Sequence, residues 1–325
     1  LSKNRDEALK LGGLASSAPR FDAEPVERVR RQIRSRLNEE QEDPVVIASR
    51  ALCASAFPNH PYGQPISGTL KTVAAIERAE LVDYARRHLA RDNLVIAVVG
   101  DITAAELGPL LDRTFGDLPE KATGTAEIAD VKPVLRKAPI IITRDMPQSV
   151  VKFTGIGLKR DDPDYYAAYV MNYILGGGGL TSRLTEEVRE KRGLAYSIYS
   201  YPDPMQHSAL LGGGVATQNA RVAEALKLVR QEIGRMRDHG VTETELANAK
   251  TYLNGSFPLQ LSSNGRIANF LVGIQLEHLG IDYLERRPQL INAVTLADVQ
   301  RVASQLLDPD NLLTVVVGQP VGLGG

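Results

Sequence analysis

One pattern of apolar and polar positions occurs twice along the chain. The stretch from Ile76 to Asp101, IERAELVDYARRHLARDNLVIAVVGD, lays over Val294 to Gln319, VTLADVQRVASQLLDPDNLLTVVVGQ, without a gap. Both read as an amphipathic helix, an Asp-Asn turn and an apolar strand closed by glycine. Identical residues include Ala85/Ala303, Leu89/Leu307, Asp92/Asp310, Asn93/Asn311 and Gly100/Gly318, at an offset of 218. A second match, EALKL at Glu7–Leu11 and at Glu224–Leu228, lies at offset 217. Two matches at nearly one offset imply two homologous domains in tandem.

The second half carries the fuller pattern. It opens near Pro139 with two strand-like runs, PIIITR and SVVKFTG. Asp162-Pro163 predicts a helix through Leu175, with Asp162 as N-cap and Pro163 in the first turn. The glycine run Gly176 to Gly179 stops it, and a helix from Thr181 to Arg192 ends at Gly193 as a left-handed cap. Ala195 to Tyr201 and Ser208 to Ala216 predict a hairpin. Helices follow over Ala220–Asp238, Glu243–Leu259 and Gly265–Leu279, with Thr242 and Glu245 forming a capping box. Strands and helices segregate, which predicts an α+β fold with helices covering one face of a mainly antiparallel sheet. On the repeat offset, the first copy lacks the counterpart of its opening, about 78 residues. The expected division is a first, N-terminally truncated domain over 1–120, a polar linker over 121–137, and a complete second domain over 138–325.

Composition narrows the function. With 38 basic and 39 acidic residues and a net charge of -1, the chain has no electrostatic footprint for nucleic acid. The apolar runs, such as Leu94–Val99, are far shorter than the ~20 residues that span a bilayer. A single cysteine, Cys53, excludes an intramolecular disulfide framework and a cysteine zinc site. The chain opens at Leu1 with neither Met nor a leader pattern. Bacterial cytoplasm and periplasm therefore both stay open, with a slight lean to the periplasm.

The chemistry-bearing motifs are few. The five histidines, at 60, 88, 207, 239 and 278, are scattered, and none forms H-x-x-x-H, H-E-x-x-H or H-x-x-E-H, so no helix face offers a histidine pair to zinc. His60, between two prolines, reads as a loop residue. G-x-S-x-G is absent, so nothing marks a serine nucleophile elbow. LGGGGLTSRL lacks a phosphate-loop ending and reads as a turn between helices or a mobile loop touching a polypeptide. Tyr165, Tyr166, Tyr169 and Tyr173 fall on helical spacing and read as core. Gly212–Gly214 inside a strand predicts a bulge or a close backbone approach. In REKRGLAY, Arg189 stands in a last helical turn and Tyr196 begins a strand, so both could face one cleft. The structural alternative is that Arg189 complements the helix dipole while Tyr196 packs.

At these residues the sequence resembles the pitrilysin/insulinase-like zinc peptidases, family M16, in the branch similar to mitochondrial processing peptidases. The matching stretches are FDAEPVERVRRQI, HPYGQPISGTLKTVAAI, DNLVIAVVGDI, FGDLP and ILGGGGLTSRLTEEVREKRGLAYSIYS. The resemblance implies the M16/LuxS-like metallohydrolase fold and units that close around an extended or unfolded peptide. The family's zinc motif, H-x-x-E-H, has no counterpart here. Its third ligand, a glutamate, aligns with Glu27. Zinc is thus expected in a partner subunit or in the missing N-terminal segment, not in this chain. The family's second active-site element, an Arg and a Tyr seven residues apart, matches Arg189 and Tyr196, with Gly176, Gly177, Gly178 and Gly179 as a substrate-touching loop.

Three readings follow from that resemblance. The first is a non-catalytic subunit that binds substrate and completes the zinc site of an M16 partner, in a heterodimer or a homodimer. The second is a truncated zinc endopeptidase whose metal motif went with its N-terminus. The third is an assembly protein resembling respiratory-complex core subunits.

Overall fold

The computed structural model describes residues 4–124 and 126–323, so Thr125 of the expected linker and the outermost residues of both expected domains lie outside it. The chain forms two compact units that interleave in sequence. One comprises Leu1–Asn38, Ser67–Glu127 and Pro258–Gly280; the other comprises Glu39–Ile66, Ile128–Phe257 and Ile281–Gly325.

The second unit is built on five strands: β1 (Ile140–Thr143), β2 (Gln148–Ile156), β3 (Ala195–Pro204), β4 (Ala209–Gln218) and β5 (Leu313–Gly318). Their order is β1-β5-β2-β4-β3. β1 and β5 run parallel, and the other neighbours are antiparallel. β5, LTVVVG, is buried at all six positions, as a continuous apolar run in a central strand should be. Its alternation divides it between two cores. Val316 joins Val151, Ile198 and Val215 under Met171, Leu226, Val229 and Val302. Leu313, Val315 and Val317 pack with Ala48, Leu52, Ala56 and Phe57.

Helices therefore cover both faces of the sheet, not the single face expected. The helix Pro44–Ala56 supplies the second cover. Its N-cap Asp43 accepts from the amides of Val45 and Val46, and Pro44 opens the first turn, where its missing N–H costs nothing. Part of the expected linker is packed here too. Val131 and Leu135 join the same core, and the Val131 and Val134 amides donate to the carbonyls of His207 and Ala56.

Several boundaries differ from the sequence expectation. The helix expected from Asp162 begins at Tyr165, because Asp162 Oδ1 accepts from the Asp164 amide in a turn. Glycine does not stop it at 176: it continues as a π-helix over Tyr173–Gly177. The helix expected over Glu243–Leu259 breaks at Ser256 into Glu243–Gly255 and Phe257–Gln260. Gly193, at φ 59°, ends its helix in the left-handed conformation as expected, and Thr242 with Glu245 forms the capping box.

The first unit holds helices over Arg5–Ser17, Leu70–Ala75, Arg78–His88, Ala104–Phe115 and Asn264–Leu276, with most of Ala23–Glu42. The expected strand Leu94–Val99 is not one. A strand exists only as a pair, and none of the described backbone groups from Val95 to Val99 bonds to another backbone group. The side chain of Gln275 donates to the Ile96 carbonyl. Burial separates the two copies of the repeat just as sharply. Tyr84, Leu89 and Val98 are 60%, 39% and 43% exposed, while their counterparts Val302, Leu307 and Val316 are buried.

Candidate functional site

The site grows from an irregularity in β3. Ala195 pairs with Thr217 and Ile198 with Val215, so three steps on β3 span two on β4. This is a β-bulge, which inserts one extra residue and re-aims the side chains beside it. Ala195 and Ile198 stay in the core, and Tyr196 and Ser197 both turn outward, Tyr196 to 86% exposure. The bulge thus lies on β3, not within Gly212–Gly214 of β4.

Arg189 reaches the same place from the last turn of the π-helix Thr185–Glu190. The chain reverses tightly after it, with the Gly193 amide donating to the Arg189 carbonyl at 2.8 Å and the Leu194 amide to the Val188 carbonyl at 2.9 Å. The reversal sets the Arg189 guanidinium 5.1 Å from the centre of the Tyr196 ring, within cation–π range. Arg189 Nε meets Glu190 Oε1 at 3.3 Å, and no protein partner is described for its two Nη atoms.

Arg189 and Tyr196 border an open cavity of about 340 Å³, together with Gly176, Gly177 and Gly179. Gly178 is not among its lining residues. Gly176 is fixed by close packing: a Cβ there would fall 2.4 Å from Ser200 Oγ and 2.7 Å from the Ser200 amide. Ser200 Oγ in turn donates to Asn172 Oδ1 at 2.7 Å, and Asn172 Nδ2 donates to the Ser200 carbonyl at 3.3 Å. This buried pair clamps the glycine run to β3 behind the cavity. Arg183 and Glu245 hold the next turn. Partial burial opposes ionisation of Glu245, yet the bonds from Arg183 and Thr242 bring it down to about 2.

Sequence reasoning missed Lys152, Tyr199, Asn172 and Ser200. Lys152 on β2, Gly214 on β4 and Tyr199 on β3 lie in one cross-strand row. Lys152 Nζ donates to the Tyr199 hydroxyl at 2.7 Å. The glycines were the available signal. A Cβ on Gly214 would sit 3.0 Å from Tyr199 Oη, and one on Gly212 2.9 Å from the Tyr201 ring, so the close approach expected there is made by tyrosine rings.

The remaining candidates are not among the cavity's lining residues. Tyr166, Tyr169 and Tyr173 pack against the main core. Arg160 stacks 4.1 Å from the Tyr165 ring and donates to the hydroxyls of Tyr166 and Tyr283. His60 is a loop residue, its Nδ1 accepting from the Tyr62 amide. Glu27, in the first unit, is exposed and pairs with Arg30 at 2.9 Å. Among the described residues no three His, Cys, Asp or Glu side chains gather as a metal site. A lone carboxylate does not fit zinc, which takes three or four protein ligands.

Comparison with known proteins matches this geometry to a family. The family profile described as "Peptidase M16 inactive domain" matches residues 75–253, which hold the glycine run, Arg189 and Tyr196. An uncharacterized zinc protease of Streptomyces coelicolor is 31% identical over 284 residues, covering 85% of this chain and 61% of that protein. The chain thus spans less than two thirds of that relative's length. A probable mitochondrial-processing peptidase subunit beta of Schizosaccharomyces pombe is 29% identical over 321 residues, covering 93% of this chain and 68% of that protein. The crystal structure of a peptidase M16 inactive domain from Pseudomonas fluorescens superposes with a TM-score of 0.91 at 31% identity, covering 99% of this chain and 76% of that one. No helix among the described residues is long and apolar enough to cross a membrane. On the profile over more than half of its length and the 31% identical zinc protease relative, the chain belongs to the peptidase M16 family.

Proposed function

We propose that this chain is the non-catalytic, substrate-binding subunit of a two-chain M16 peptidase acting on extended peptides or unfolded proteins. The observation that carries this reading is the Arg189–Tyr196 pair, stacked at the rim of an open cavity. The exposed Tyr196 hydroxyl donates a hydrogen bond to a carbonyl oxygen as negative charge develops on it, and does so without bringing a charge of its own. The Arg189 Nη groups add charge-assisted bonds to substrate carbonyls. Neither role requires the chain to hold a metal, and in this reading the companion chain holds zinc. The likeness to a processing-peptidase subunit and to zinc proteases supports such a pairing.

The test is steady-state cleavage of an unfolded peptide by this chain mixed with a zinc-bearing M16 chain. Tyr196→Phe is expected to lower kcat by about 10²–10³ with assembly unchanged, and Arg189→Ala to raise KM more than it lowers kcat. Equal kcat for wild type and Tyr196→Phe would return the pair to a helix end and a surface tyrosine.

A further inference from the structure

We infer that the cavity beside Arg189 and Tyr196 takes a carboxylate of the bound polypeptide. This deepens the proposed function and rests on its premise that a polypeptide enters here. No aspartate or glutamate lines the cavity. Beside Leu180, Ile198 and the glycines, its polar lining is one guanidinium and a set of hydroxyls: Arg189, Tyr196, Ser197 and Tyr199, with Thr185 and Ser200 deeper. Glu190 meets Arg189 through Nε, while Glu186 and Glu187 pair with Lys191, and Glu187 also with Arg192.

A second cation, Lys152, stands beside Tyr199. Because the Tyr199 hydroxyl accepts its bond from Lys152 Nζ, its own proton is left to donate. Only glycine at 214 leaves room for the Tyr199 ring to reach across β4 to Lys152. Two Nη donors and the hydroxyls of Tyr196, Ser197 and Tyr199 give a cavity with several donors and no lining carboxylate. A neutral carbonyl gains less from such a set than an anion, whose hydrogen bonds are shorter and about twice as strong. The chain as a whole carries a charge of -1, so a preference for acidic ligands would come from this local set and not from the overall field. About 340 Å³ lies at the small end of ligand pockets and suits one residue of an extended chain.

The carboxylate could belong to an acidic side chain or to a free C-terminus, and three labelled peptides of equal length separate the two. One carries Glu and an amidated end, one has Gln in its place and an amidated end, and one has Gln with a free end. Binding to the full chain is read by fluorescence anisotropy. At least one carboxylate peptide is expected to bind about tenfold more tightly than the neutral one, and the tighter of the two identifies the source. Arg189→Gln is expected to abolish that difference. Lys152→Met and Tyr199→Phe are expected to narrow it. Equal affinities for all three peptides, or a preference that survives Arg189→Gln, would overturn the inference. If the three bind equally and Arg189→Ala abolishes binding, the carboxylate preference falls and the substrate-binding role stands. If none binds, both fall.

Discussion

Gly176 shows what a single hydrogen atom in place of a methyl group does for the site. Its α-carbon lies against the backbone and hydroxyl of Ser200, and the Ser200–Asn172 pair fixes that seat. Gly176→Ala forces backbone to move, and overpacking of this kind costs about 1–3 kcal/mol, measurable by urea denaturation. Gly179 has open space around it and φ 60°, so Gly179→Ala costs only the left-handed penalty, about 1–2 kcal/mol. The two glycines look alike in sequence and do different work. At this scale the spacing of Arg189 and Tyr196 allowed that both face one cleft, since a helix end and a strand start seven residues apart fold back on each other. Their proposed role came from the family resemblance. Lys152 and Tyr199 were not legible. They meet across an intervening strand, and no local spacing records a cross-strand row.

Among the elements, the legible ones were those whose periodicity agrees with their burial. β2, β4 and β5 read correctly because their apolar runs are covered on both faces. The π-helices over Tyr173–Gly177 and Thr185–Glu190 were hidden, since the same side-chain pattern serves an α-helix and the difference lies in backbone bonding; such segments are frequent at functional sites. Glu245 ties the second of them to the helix Glu243–Gly255 through Arg183. Its folded pKa is depressed from 4.5 to about 2. The stability it contributes is therefore fully present above pH 4.5 and is lost as pH falls toward 2. Glu245→Gln is expected to lower stability at pH 7 by about 1.5–3 kcal/mol and to flatten the acid limb of a stability–pH curve between those values. An unchanged acid limb would show the pair to be electrostatically idle.

For the molecule as a whole, the repeat was legible in the sequence but its consequences were not symmetrical. Val98 and Val316 occupy one position of the pattern; the first is exposed and the second sits in the core. Val316→Asp buries an unpaired charge and is expected to cost about 3–5 kcal/mol, whereas Val98→Asp should stay within about 0.5 kcal/mol. Amide hydrogen exchange separates the copies independently. Val95–Val99 should exchange like a loop, and Leu313–Val317 only on opening of the sheet. Equal protection would mean that the first copy is paired in solution. The expected division at 121–137 and the observed interleaving of units part for a related reason: Pro44–Ala56 is drawn to an apolar sheet face contributed by residues far later in the chain.

The placement of β5 sets the order in which this sheet can be assembled. β1 and β2 follow each other closely in the chain, yet β5 lies between them, and it is made some 160 residues later. On a ribosome, β1 has no neighbour to hold and β2 shows an open flank until nearly the whole unit has been synthesised. The sheet closes only once β5 has been made, through contacts of long sequence separation, which is the slow and aggregation-exposed regime of folding. A chain ending at Asn311 would not lose an edge strand. It would have its sheet parted in the middle, with one side of both protein cores uncovered, and limited proteolysis should cut it within the region that resists digestion in the full chain.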